Sequence, residues 1–389
     1  MYNKVKSNLH LTHDNKFFDL FVRNVEKFCK SKNTYIVVQE NSPKLYHIHN
    51  EKVEVWNTEI INEFLTKNGF IHFDCIYIHF LTPALSRLVN RLPNEIPIVL
   101  VFWGAEIFEL TMFQRNNLME ATAKLINPIL NNKKKFTLAF KPKNFVLECQ
   151  SYLRKKFDIY QKKKALKRIN YFAHYIREDY DLVVSKLKIN FEFIDFHYGG
   201  VYEMIQKVDT YKNVIKERKI QIGNSGDYHN NHIDLFNLLK KQNIKDFEII
   251  CPLSYSGLNE YVQLVEKSGL STFGSKFMSI TDFIPLESYN KLLASCSVMI
   301  MGHIRSQAAA NIQSALCFGV RVYMPRQSTL FRFLKRIGLV IHSLDEINEK
   351  PININPLTED EVLWNCLKLT EHMGKNVAKI QFQRCIDQN

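Results

Sequence analysis

The sequence contains no run approaching the roughly 18 apolar residues that a membrane-spanning helix needs, and Met1 to Leu20 lack the apolar stretch of a secretory signal. We therefore expect a protein kept in the cytoplasm. Collagen, coiled-coil and repeat periodicities are also missing. The eight cysteines (Cys29, Cys75, Cys149, Cys251, Cys296, Cys317, Cys366, Cys385) stand alone, never at metal-ligand spacing. Reduced thiols packed in apolar surroundings are expected. Acidic charge is short, with 39 Asp plus Glu against 52 Lys plus Arg, a net +13. That deficit is local: between Asn131 and Arg168 thirteen basic side chains face only Glu148 and Asp158. The rest of the chain is nearly balanced, which argues against a protein that coats nucleic acid in general.

What is present points to packed domains. A chain of 389 residues exceeds a single core and suggests two domains. Its 46% hydrophobic and 12% aromatic content excludes a disordered chain. Short apolar runs (34–39, 75–80, 96–102, 169–176, 220–222, 248–251, 298–301 and 320–323) alternate with segments of helical period, as expected for α/β layers with parallel sheets. One helix is predicted over 17–29, where Phe17, Phe18, Phe21, Val22, Val25 and Phe28 share a face. The polar stretch 209–218 suggests a boundary. We expect a first domain over 1–212 with a basic insertion at about 112–165, a Rossmann-like domain over 213–356, and a helical tail over 357–389 that could cross back onto the first domain.

Three turns stand where such sheets carry chemistry. After the run 220–222 comes Gly223-Asn224-Ser225-Gly226-Asp227, then Asn230, Asn231 and a helix. Either its backbone N–H groups meet a phosphate at a helix start, or it is an ordinary turn with Asn230 or Asn231 as N-cap. It is neither G-x-G-x-x-G nor a P-loop. After the run 298–301, Gly302, His303, Arg305 and Gln307 precede a small-residue helix containing Asn311, an arrangement that can set Arg305 against a diphosphate or leave it facing solvent. In the first half, Trp103-Gly104-Ala105-Glu106 follows a strand, so Glu106 is either a base at a strand carboxyl end or an exposed acid at a helix start. His79 ends the preceding strand with the same ambiguity. Asp179-Tyr180-Asp181 matches the D-x-D of metal-holding sugar transferases, but two acids at a helix start are commonplace and no further ligand is nearby; no metal is expected.

The basic segment has helical spacing at Val146, Cys149, Leu153 and Phe157. With Lys133, Lys134, Lys135, Arg154, Lys155, Lys156, Lys162, Lys163 and Lys164 around them, it suits an anionic membrane surface. A solvated helix is the plainer alternative. Interleaved aromatics would also suit nucleic acid.

The residues together resemble a known family. Gly223 to Asp227 with Asn230 and His232, the Pro252-Leu253-Ser254-Tyr255 turn, Arg305 with Gln307, and Trp103-Gly104-Ala105-Glu106 are similar to the bacterial TDP-4-acetamido-4,6-dideoxygalactose:lipid II transferases, a glycosyltransferase family also labelled 4-α-L-fucosyltransferase. The resemblance is good over 221–344, patchy over the first 110 residues and absent over about 112–162. It implies a GT-B enzyme, with two Rossmann-like domains facing across a cleft and no cofactor or metal. It would be peripheral on the inner face of the cell membrane and add a 6-deoxyhexose or deoxyamino sugar from a nucleoside diphosphate to a polyprenyl-diphosphate-linked glycan in polysaccharide biosynthesis. By position, Gly223, Asn224, Ser225, Gly226, Asp227, Asn230, Pro252 and Tyr255 would border the nucleotide and sugar. His303, Arg305, Gln307 and Asn311 would lie on the diphosphate side. Glu106 would be the base, with His79 second. The chain departs from the family in having Glu after Trp-Gly-Ala, where Asp is usual, and Ala-rich sequence after Gln307, where Gly is usual. Nucleic acid is not an expected partner. A nucleic-acid-binding protein and an inactive GT-B scaffold are the alternative readings.

Overall fold

The computed structural model describes residues 5–40, 44–114, 117–136, 142–206, 208–211, 213–242, 244 and 246–388. The chain divides into two units. The first comprises Met1–Leu110, Pro142–Gly200 and Met373–Asn389; the second comprises Thr111–Lys141 and Val201–His372.

The first unit is built on seven parallel strands: β1 (Ser7–Thr12), β2 (Lys32–Val38), β3 (Val53–Trp56), β4 (Cys75–His79), β5 (Ile98–Val101), β6 (Tyr171–His174) and β7 (Glu192–Asp195), in the spatial order β3-β2-β1-β4-β5-β6-β7. Central strands such as β4 and β5 are buried at every position, as expected when helices cover both faces of a parallel sheet. The helix Phe18–Phe28 buries Phe18, Phe21, Val22, Val25 and Phe28 against this sheet, on the predicted face. Phe17, assigned to the same face, is 46% exposed. Phe382, Cys385 and Ile386 from the end of the chain complete this core. They are held there by Asn8 Nδ2 donating to the Ile386 carbonyl at 2.8 Å and by the backbone N–H of Ser31 donating to Asp387 at 2.9 Å.

The second unit has six parallel strands: β8 (Glu217–Ile222), β9 (Glu248–Pro252), β10 (Phe277–Ile280), β11 (Cys296–Ile300), β12 (Arg321–Met324) and β13 (His342–Ser343), in the order β10-β9-β8-β11-β12-β13. Both sheets are Rossmann-like, each with one point where the strand order reverses: between β1 and β4, and between β8 and β11.

The units divide the chain differently from the sequence-based boundary at 212. The longer segment of the second begins at Val201, and Tyr211 packs its ring 4.7 Å from Phe318 within that unit, which leaves no linker at the predicted boundary. The basic insertion is split between the units. The helix Glu120–Phe136 belongs to the second, where Asp234 accepts the backbone N–H groups of Ala121 and Thr122, each at 2.8 Å, and Ile126 enters the core. A carboxylate on the first-turn N–H groups of a helix satisfies donors that have no partner within the helix. The helix Pro142–Arg168 belongs to the first unit, where its second half packs on the helix Pro83–Val89 through Arg87 to Asp158 at 2.6 Å and Asn90 to Gln161 at 2.7 Å. Among the described residues no helix is long and apolar enough to cross a membrane.

Candidate functional site

In open parallel sheets, ligands bind beyond the carboxyl ends of the strands where the order reverses. In the second unit the two segments at that place are 223–231, after β8, and 301–308, after β11. They are packed onto each other without space for side chains. A Cβ at Gly302 would stand 2.1 Å from the Asn230 carbonyl oxygen. One at Gly223, whose φ is +66°, would stand 2.7 Å from both Asn230 Oδ1 and His232 Nε2.

The amides act as bolts rather than as helix caps. Asn230 Oδ1 accepts the Asn224 N–H at 2.9 Å, while its Nδ2 donates to Ser225 Oγ at 3.1 Å and to the Asp227 carbonyl at 2.9 Å. Asn231 occupies the N-cap position of the helix His232–Lys241 at φ 53°, but its side chain makes no capping bond. It donates instead to the Gly302 carbonyl at 2.7 Å and accepts the Met119 N–H at 2.8 Å. The N-cap reading of these two residues is thereby corrected, and Asn231 emerges as the residue that ties both segments and the 117–119 stretch together. A third segment joins them: Gly226 donates to the Tyr255 carbonyl at 2.9 Å, just beyond Pro252 at the end of β9.

Charge is concentrated on Asp227. Its carboxylate accepts the backbone N–H of His229 at 3.0 Å, lies 2.9 Å from His229 Nδ1, accepts Gln307 Nε2 at 3.4 Å and pairs with Arg305 at 3.6 Å. Burial opposes its ionisation, but the His229 hydrogen bonds and the Arg305 charge prevail and hold the carboxyl well below the usual range. Arg305 is therefore anchored, at a separation that leaves its donors largely unspent. His303, fully buried beside it, has its pKa lowered to about 3 by burial and then by the Arg305 charge, and neither ring nitrogen has a hydrogen-bond partner. His232 is likewise lowered to about 3 by burial; its Nε2 has no partner. The structure thus brings Gly223, Asn224, Ser225, Gly226, Asp227, Asn230, Pro252, Tyr255, His303, Arg305 and Gln307 to one end of one sheet. Asn311 lies one turn further on, in the helix Ala309–Cys317.

In the first unit, Glu106 sits in the short helix Ala105–Phe108 that follows β5, after Gly104 at φ 107°. It is fully buried, not exposed. Its Oε1 accepts the Trp103 N–H at 2.8 Å and its Oε2 has no partner. Burial pushes its pKa up to about 7, against the opposing influence of the Trp103 N–H and Lys162. His79 is placed differently from a second base. It is buried among Phe18 and Phe21, its Nε2 is 3.2 Å from His10 Nδ1, and its Nδ1 bonds the Tyr198 hydroxyl, which also accepts Trp103 Nε1 at 3.1 Å. Both ring nitrogens are spent within the core, where His79 supports the Trp103 turn through the Tyr198 hydroxyl.

The D-x-D pair diverges. Asp179 is buried against His174 Nε2 at 3.0 Å, whereas Asp181 pairs on the surface with Arg177 at 3.1 Å. In the basic helix, Arg154, Lys155, Lys156, Lys163 and Lys164 are exposed. Lys162 is not: it turns inward and donates to the Glu106 carbonyl at 2.8 Å. The side chains of Lys133, Lys134 and Lys135, with Val146 and Cys149, lie outside the described residues.

Comparison with solved structures shows what this pair of sheets is. The N-terminal domain of Candida albicans trehalose-6-phosphate phosphatase is similar over 99% of this chain and 97% of its own, with a TM-score of 0.60 and 10% identity. An E. coli trehalose-6-phosphate structure bound with UDP-2-fluoro glucose is similar over 98% of each chain, with a TM-score of 0.58 and 10% identity. Anabaena HepE, in complex with UDP and glucose, is similar over 98% of this chain and 97% of its own, with a TM-score of 0.51 and 11% identity. The fold is that of the GT-B glycosyltransferases. Residues 200–355, which include the whole second sheet and its loops, match the model of the 4-alpha-L-fucosyltransferase family, glycosyl transferase group 56, and the chain is accordingly a glycosyltransferase.

Proposed function

We propose that the protein transfers a 6-deoxyhexose or deoxyamino sugar, of the fucose or 4-acetamido-4,6-dideoxygalactose type, from dTDP to a polyprenyl-diphosphate-linked glycan. The observation that carries this reading is the clasp of 223–231 and 301–308 at the strand reversal, with Arg305 anchored on Asp227 inside the segment that matches the family. As the glycosidic bond to the nucleotide breaks, negative charge grows on the leaving diphosphate. A guanidinium paired with Asp227, whose carboxylate also accepts from Gln307, offsets that charge without having to reorganise. The backbone N–H groups of Gly223, Asn224, Gly226, Asp227, His229 and Asn230 are already taken within the clasp, so the diphosphate contact is assigned to Arg305 rather than to the turn's backbone.

Glu106 is the proposed base for the acceptor hydroxyl. A carboxyl with a pKa near 7 is about half ionised at neutral pH and still basic enough to accept a proton. Contact with an inner membrane face, in the course of cell-surface polysaccharide synthesis, is assigned to the middle of the helix Pro142–Arg168. There Tyr152, Leu153, Phe157 and Tyr160 are exposed together with Lys155 and Lys156. Tyr152, Lys156 and Tyr160, like Leu153 and Phe157, are spaced four residues apart and form one apolar and basic stripe.

The test is transfer of labelled sugar from dTDP-fucose and dTDP-4-acetamido-4,6-dideoxygalactose to undecaprenyl-diphosphate-linked saccharides. Product with either donor supports the reading. Turnover with UDP- or GDP-sugars alone would overturn the dTDP assignment, and no turnover with any donor would favour a catalytically inactive scaffold.

A further inference from the structure

Lys162 is a basic residue of the helix Pro142–Arg168 whose placement a solvated or membrane-facing role does not account for. Its neighbours Lys163 and Lys164 are exposed, whereas Lys162 is partly buried and donates to the Glu106 carbonyl at 2.8 Å. Next to it, Ala165 and Leu166 are fully buried, and one turn earlier Asp158 is fixed by Arg87 at 2.6 Å. This half of the helix is therefore a rigid strut, and the ammonium is delivered to one place. Burying an ammonium is unfavourable unless a hydrogen bond or a nearby negative charge compensates.

We propose that Lys162 is a positioning residue for Glu106: seated on the Glu106 carbonyl, its ammonium pins the turn that carries the carboxyl and places a fixed positive charge beside it. The proposal rests on the reading of Glu106 as the base and extends it to a residue outside the Trp-Gly-Ala-Glu turn. Other charged and titratable groups bear on this carboxyl in both directions. Glu109, on the same turn, opposes its ionisation, as would a Tyr198 phenolate; the Trp103 N–H and Lys162 favour it. Glu106, Glu109 and Asp158 in turn favour the charged form of Lys162, whose pKa burial lowers. A buried carboxyl with one oxygen unpartnered needs such a cation to remain available in its ionised form near neutrality. The same helix carries the exposed stripe that ends at Tyr160, so surface contact and control of the base share one element.

The experiment is NMR titration of the full-length chain carrying glutamate labelled with carbon-13 at the carboxyl, with the Glu106 signal assigned by its loss in Glu106→Gln. In the wild type the midpoint should lie at about 7. In Lys162→Met, and in Lys162→Gln, which keeps a donor and loses only the charge, the midpoint should rise by about one unit, a tenfold change in proton affinity. Lys162→Arg should restore it. A wild-type midpoint near 7 that is unmoved in both uncharged variants would overturn the role of Lys162 alone. A wild-type midpoint in the ordinary glutamate range would instead overturn Glu106 as the base. The Gln variant serves if the Met variant does not fold.

Discussion

At Glu106 a single carboxyl combines complete burial, one oxygen spent on the Trp103 N–H and one without a partner. Replacing it with Gln preserves shape and removes basicity. Glu106→Gln is expected to lower kcat by at least about a hundredfold, the scale of general base catalysis, with the melting temperature retained; a loss below about tenfold would remove Glu106 from that role. At the site proposed for the donor, Arg305→Ala should abolish turnover while the chain stays folded, since the arginine pairs with a carboxylate, Asp227, that is also hydrogen-bonded by His229. Wild-type rates in that variant would take Arg305 out of the diphosphate site. Gly302→Ala tests the clasp itself: a methyl 2.1 Å from the Asn230 carbonyl forces a backbone shift, so thermal or urea denaturation should show a loss of about 1–3 kcal/mol together with weakened nucleotide binding.

At the scale of the elements, legibility in the sequence followed how local the determining forces are. The helix Phe18–Phe28 was readable because its buried face is set by residues three and four apart, and the strands because a parallel sheet buried on both faces makes continuous apolar runs. The turns after β8, β9 and β11 were readable as neighbours, since a parallel sheet in which β8 lies between β9 and β11 sets their carboxyl ends side by side. What could not be read depends on distant partners. Helix Glu120–Phe136 belongs to the second unit through Asp234, 113 residues beyond Ala121. His79 is consumed by Tyr198, 119 residues away. Lys162 looked like one cation among many until the packing of its helix on Pro83–Val89 fixed which way it points. The exposed stripe of that helix gives a prediction of its own. Replacing Leu153 and Phe157 with Ser should release the protein from anionic vesicles in a sedimentation assay without lowering its melting temperature, because both side chains are at least half exposed. Undiminished sedimentation would show that the stripe serves another contact.

For the whole molecule, buried neutral histidines set the pH response. His10 and His197 are lowered to about 4, and His232 and His303 to about 3, in each case chiefly by burial. The unfolded chain takes up protons on these rings near pH 6.5, whereas the folded chain resists until pH 3 to 4. Their contribution to stability is therefore complete above pH 6.5 and is lost progressively as pH falls through that window. Glu106, raised to about 7, acts in the opposite sense, but it is one group against four. The melting temperature should fall between pH 7.5 and pH 5; a flat profile would contradict the burial of these rings.

If the clasp after β8 and β11 holds a nucleoside diphosphate through Arg305, the thermal shift of the wild type and of Arg305→Ala with dTDP, UDP, GDP and CMP reads that contact directly. dTDP should raise the wild-type melting temperature in a concentration-dependent way, and Arg305→Ala should lose the shift. A wild type indifferent to all four nucleotides would contradict that contact.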